Sequence, residues 1–225
     1  MAVRRLWFPL LLGLVGVAIL CALGLWQLDR MGQKEALLDR IEARIGAAPV
    51  PLPAAPDPAT EQYLPVTVTG ALRGGEAPVL TSLQGEGTGY RVVAALDTGE
   101  RRLLVDLGFA PEADKDRARL AEDVTVTGNL LWPNDVDSWT PAPDLARNLW
   151  FARDLPAMAE ALGTEPLLVV ARRIEGADLG TIPVAVDMAG IPNNHYEYAI
   201  TWFGLAMVWV VMSLVLIQRV RRGTA

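Results

Sequence analysis

The chain has few side chains able to do chemistry: its 225 residues include one histidine, His195, and one cysteine, Cys21. A lone imidazole cannot build a three-ligand zinc site or a multi-histidine copper site, but it can supply one axial ligand to a haem iron. A lone cysteine excludes an intramolecular disulfide, a redox Cys-x-x-Cys and a c-type haem attachment. Ser82, Ser138 and Ser213 are the only serines, and none sits in Gly-x-Ser-x-Gly. The glycine-rich Gly85–Gly89 lacks the spacing of a phosphate loop and carries Glu86 where a phosphate would lie, so it reads as a hairpin loop. Asp135 and Asp137 read as solvated loop carboxylates on an acidic domain, not as a catalytic pair. Nothing in the sequence supports an enzyme.

The imidazole has informative neighbours. His195 stands in Pro192-Asn193-Asn194-His195-Tyr196-Glu197-Tyr198-Ala199-Ile200-Thr201-Trp202-Phe203, at the start of an apolar run. If that run is helical from His195, then His195, Tyr198, Ala199, Trp202, Ala206 and Trp209 share one face. The face offers an imidazole at a membrane surface, with flat aromatic rings and small gaps beneath it. An amphipathic macrocycle with an apolar body and an anionic edge suits such a face. Trp26, Arg30 and Lys34 leave the other apolar run at the same level, where Arg30 or Lys34 could pair with carboxylates on that edge. A plainer reading stands beside this one. Interfacial Trp and Tyr anchor helices, Arg and Lys snorkel, and a surface histidine is often only hydrogen-bonded.

The elements that position these residues are two membrane spans. Leu6 to Leu28 is charge-free, with Gln27 as its only strongly polar side chain, and as a helix it covers about 34 Å. Ala199 to Ile217 is a second charge-free run. A cleaved signal peptide is the alternative for the first, with Ala22-Leu23-Gly24 as a cleavage site, but the run continues past that site. The mean hydropathy of +0.27 and the 52% hydrophobic content fit a membrane protein. Arg4 and Arg5 precede the first span, and Arg219, Arg221 and Arg222 follow the second. Of the 20 basic residues, those five removed, 15 lie between the spans against all 26 acidic residues, a net of −11. The positive ends place both termini in the cytoplasm and the acidic middle outside it, in the periplasm or its organellar equivalent. A formal charge of −6 argues against nucleic acid as a partner, whereas membrane lipid is an obligatory one.

The expected organisation is a cytoplasmic N-terminus (1–5), a first span (6–28), a helical extension with a proline-rich linker (29–58), a periplasmic domain (59–194), an interfacial start with the second span (195–218) and a cytoplasmic C-terminus (219–225). Val/Thr alternation in Tyr63–Gly70 predicts a half-buried strand. Further strands are predicted over Pro78–Ser82, Tyr90–Leu96, Arg102–Phe109, Val124–Trp132 and Leu167–Ile174, with turns at Gly74-Gly75 and Gly85–Gly89. Two short helices are predicted, a charged one over Glu112–Glu122 and one over Asp154–Leu162, capped by Asp154 and Gly163. The fold class is therefore a membrane protein with two transmembrane helices flanking a β-rich α+β extramembrane domain, a small barrel or sandwich.

Several motifs in fixed order carry a resemblance over nearly the whole chain. They are Leu23-Gly24-x-Trp26-Gln27-x-x-Arg30-x-x-x-Lys34, Tyr63-x-Pro65-Val66-x-Val68-x-Gly70, Gly89-Tyr90, Leu104 to Pro111, Asn148 to Asp154, and Asn193-Asn194-His195-x-x-Tyr198-Ala199-x-Thr201-Trp202-Phe203. In these the chain resembles the SURF1 family, the cytochrome c oxidase assembly factors of bacterial and mitochondrial inner membranes. It departs from the family at Leu107, often Arg, and at Ala110, often Val. The resemblance implies an assembly role, helping haem a reach the catalytic subunit of an aa3-type oxidase. Haem a synthase is then a further partner. It also implies that His195 is the haem iron ligand, with the aromatic face around Tyr198 and Trp202 nearby, to which the reading of the membrane-surface residues adds Trp26 and Arg30. The competing expectation is a scaffold that stabilises a nascent oxidase subunit without binding haem.

Overall fold

A computed structural model describes residues 2–188 and 193–222, with side chains from residue 6 onward in the first helix. Pro192, the chain ends at 1 and 223–225, and the Arg4 and Arg5 side chains lie outside the described residues. Two compact units result, Met1–Arg40 with Met188–Ala225, and Ile41–Asp187.

The first unit is built on two helices long and apolar enough to cross a membrane. Helix α1 runs unbroken over Ala2–Ile45, with Pro9 inside it, and α4 covers His195–Arg222. Most of their apolar side chains face outward, as Leu14 and Met207 do at 71% exposure each. Where the helices meet, α1 presents glycines. Gly13 faces Ser213, Gly16 faces the Trp209 indole and Gly24 faces the Phe203 ring. Numbers rise along α1 as they fall along α4, so the pair is antiparallel. Glycine lets the bulky residues of α4 approach the α1 backbone, the usual packing of helices that gain no hydrophobic energy from association in lipid. Trp209 Nε1 donates to the Leu12 carbonyl at 3.3 Å.

The second unit is a closed, mixed β-barrel. Its strands are β1 (Val50–Pro51), β2 (Pro65–Leu83), β3 (Gly87–Asp97), β4 (Arg102–Pro111), β5 (Ala121–Leu131) and β6 (Leu168–Glu175), with helices α2 (Pro58–Glu61) and α3 (Leu155–Leu162). The order β1-β2-β3-β4-β6-β5 closes through a further pairing of β2 with β5. Closure removes the free edges that an open sheet would expose. The two-faced strands β4 and β6 run parallel and feed two clusters. Leu103, Val105, Leu107, Val169 and Ala171 point into the barrel, while Leu104, Leu168 and Val170 pack in a second cluster with Trp150 and with Met158 of α3. Burial on both faces explains the continuous apolar spelling of Leu103–Val105 and Leu167–Ala171.

Two expectations are corrected. Gly74-Gly75 is no turn: both residues have positive φ and form a bulge inside β2, just past the end of its pairing with β5, where its register against β3 shifts. Of the two strands expected here, the first begins at Pro65, and it and Pro78–Ser82 belong to one bent strand. The charged Glu112–Glu122 is no helix, since only Glu112–Asp114 makes one 3₁₀ turn. It has no apolar stripe to bury. Instead Arg119 turns inward, 2% exposed, donating to Glu76 at 2.8 Å and to the Leu179 and Asp114 carbonyls at 3.1 and 2.7 Å. Helix α3 has Asp154 accepting from Ala157 N at its start and a left-handed Gly163 at its end. The proline-rich stretch is extended and lies on the barrel: β1 pairs with Val66 and Thr67, Leu52 packs on the interior, and Arg101 holds the Pro53 carbonyl at 2.8 Å.

Candidate functional site

Helix α1 carries Trp26, Gln27, Arg30, Gln33 and Lys34 on successive turns, and α4 begins at His195. Tyr198 N donates to the Asn194 carbonyl, and Glu197 in the first turn suits the positive end of the helix. Antiparallel pairing then brings the start of α4 against α1. His195 Nδ1 lies 2.8 Å from Gln27 Oε1. An amide oxygen only accepts, so Nδ1–H donates, and in the neutral form of such a ring the lone pair lies on Nε2. That nitrogen is the one available to a metal.

His195 forms part of the wall of an open groove of about 540 Å³, lined also by Arg30, Gln33, Lys34, Leu37 and Arg40. Three of its six lining residues are cations. Arg30 Nη1 donates to Gln33 Oε1 at 3.1 Å, and Gln33 Nε2 to Asp29 at 2.8 Å, which ties the basic turn together. The Arg30 guanidinium also sits 5.8 Å from the Trp26 ring centroid, within cation–π range. An imidazole beside Arg and Lys on a helix with an apolar underside can receive a flat apolar body bearing carboxylates.

Of the residues singled out in the sequence, His195, Arg30 and Lys34 line this groove, and Trp26 stacks with Arg30. Tyr198 and Trp202 do not line it. Tyr198 is 57% exposed, while Trp202 is half-buried on the face that includes the buried Ala199 and Ala206, its Nε1 donor enclosed without a hydrogen-bond partner. Gln27 and Arg40 were not singled out. For Gln27 a signal existed: one strongly polar side chain in an otherwise apolar run needs a partner.

The barrel has its own polar cluster. Asp106, fully buried, accepts from Arg91, from Arg153 at 3.5 Å and from Gly108 N at 3.1 Å. Arg153 continues to Asp135 at 2.7 Å. Burial works against the Arg153 charge, yet Asp135 and Asp106 together raise its pKa above the ordinary value. Asp137 is held below the usual carboxylate range by the Thr140 hydroxyl and Trp139 N. Asp135 and Asp137 are thus engaged in separate contacts. Among the described residues no group of three or more His, Cys, Asp or Glu could hold a metal ion.

Fold and site together define a two-span membrane protein with a β-barrel between its spans and a histidine in a basic groove. A model described as the SURF1 family matches residues 14–207, and the chain belongs to that family. It is 29% identical over 213 residues to Surfeit locus protein 1 of Xenopus tropicalis, covering 82% of this chain and 67% of that protein. It is 28% identical over 211 residues to the SURF1-like protein of Rickettsia prowazekii, covering 88% and 84%. To Surfeit locus protein 1 of Homo sapiens it is 27% identical over 230 residues, covering 90% and 74%. The family is known for cytochrome c oxidase assembly factors, so membership implies an oxidase partner and suggests a non-catalytic role.

Proposed function

We propose that this protein carries haem a to the catalytic subunit of an aa3-type oxidase, holding it in the groove beside His195. The observation that carries this reading is the His195 ring, with Nδ1 engaged by Gln27 and Nε2 left for a metal, beside Arg30, Lys34 and Arg40. His195 would ligate the iron, the cations would hold the anionic edge, and Leu37, with Trp26 stacked on Arg30 beside the groove, would offer apolar contact. Haem a is too apolar to cross water unaided, so a carrier at the bilayer surface suits it. A single neutral imidazole also holds a cargo that must be released. The arginines at both ends orient the termini to the cytoplasm of the inner membrane, with the barrel in the periplasm to contact oxidase subunits. Haem a synthase is the chemically reasonable source of the cargo.

The test is genetic. In membranes of cells lacking this chain, haem a absorbance in the oxidase should fall and be restored by the wild-type protein. His195→Ala should fail to restore it while still co-purifying with the oxidase. Full restoration by His195→Ala would favour a scaffold that stabilises a nascent subunit without touching haem.

A further inference from the structure

We propose that Gln27 is the positioning residue for His195, fixing its tautomer and aiming Nε2 toward the basic groove. The two side chains are 168 residues apart in sequence and meet at 2.8 Å. Gln27 is the one strongly polar side chain within 6–28, a place where an unpartnered carboxamide is costly. Its oxygen meets an N–H, so the ring is held as the Nδ1–H form and cannot present Nδ1 to a metal. A ligating histidine generally needs a second group on its other nitrogen to set tautomer and orientation. A carboxylate in that place would draw on the Nδ1 proton and make Nε2 a stronger donor. A neutral carboxamide orients the ring without that push, which suits a ligand that must let go. The ligand half of this inference rests on the haem-carrier reading, whereas the tautomer half does not.

The experiment uses the full chain in detergent with ¹⁵N-labelled histidine, and His195 is the only histidine in the chain, so one pair of ring nitrogens is seen. At alkaline pH, where imidazole is neutral, the wild type should show a protonated Nδ1 and a bare Nε2. Gln27→Leu should lose this preference and show both tautomers. A wild-type ring protonated on Nε2, or a Gln27→Leu ring unchanged from wild type in a folded protein, overturns the proposal. Titration with haem a is the second readout. Gln27→Leu should weaken binding about 10–100-fold, the usual effect of removing such a partner, and Gln27→Glu should tighten it. If the tautomer behaves as expected but no variant binds haem a, the carrier reading falls and the Gln27–His195 lock stands.

Discussion

The Trp209 indole occupies the space that a side chain at Gly16 would need: a Cβ there would lie 2.1 Å from Nε1. Glycine at this position is therefore what lets α4 reach α1, and the same contact places Trp209 Nε1 on the Leu12 carbonyl. The register of the pair, set by such contacts, is what brings His195 to Gln27.

Gly16→Val should force the helices apart, at about 1–3 kcal/mol for an overpacked contact. Thermal unfolding of the detergent-solubilised protein should begin several degrees lower. Gly32 supplies the control, because nothing lies within 4 Å of a Cβ there. Gly32→Ala should leave the midpoint unchanged or raise it, through better helix propensity. Equal losses from both would show that Gly16 is not a packing position.

Asp106 holds two arginines in the barrel wall with no exposure of its own. Asp106→Ala leaves those guanidiniums facing a vacated, buried site and should cost about 3–5 kcal/mol. The exposed pair Arg73–Glu122 gives the contrast. Arg73→Ala should cost at most about 1 kcal/mol. Urea unfolding followed by tryptophan fluorescence distinguishes the two, and comparable losses would contradict the account of Asp106.

Arg101 grips Glu165 with two hydrogen bonds, at 2.9 and 2.5 Å, and holds its carboxyl below the usual carboxylate range. A folded value below the unfolded one means the pair's stabilisation is present above the unfolded value of about 4.3 and is lost as pH falls through the folded one. Glu165 is partly exposed, so solvent screening keeps the effect small. Glu165→Gln should lower the unfolding midpoint at neutral pH and match wild type in strong acid. A gap that does not change with pH would rule out this ion pair as its source. Glu76 has the opposite sign: burial raises its carboxyl more than Arg119 lowers it, so its protonation on acidification favours the folded chain.

The sequence carries the local signals plainly and the long-range ones poorly. The Val/Thr alternation after Pro65, the apolar run Leu103–Val105 and the caps Asp154 and Gly163 each encode a neighbourhood of a few residues, and each leads to the element observed. Closure of β2 on β5 is a pairing of residues some 60 positions apart, which no local pattern spells. Gly74-Gly75 misleads for a related reason: a glycine pair serves a turn or a bulge equally well, and the choice depends on which strands lie on either side. Glu112–Glu122 has helical charge spacing, but the buried ion pair of Arg119 with Glu76 decides its path. At the site, His195 and Arg30 were legible as chemistry at a membrane surface. Gln27 became legible as a partner only once antiparallel packing set it opposite the ring.

The proposed ligation of haem a by His195 is tested most directly by a visible absorption spectrum. Protein purified from membranes that make haem a should carry a haem a spectrum, and His195→Ala prepared alongside should lack it. An unchanged spectrum in His195→Ala would place the ligand elsewhere. A colourless wild-type protein that still binds the oxidase would contradict the carrier and leave a scaffold.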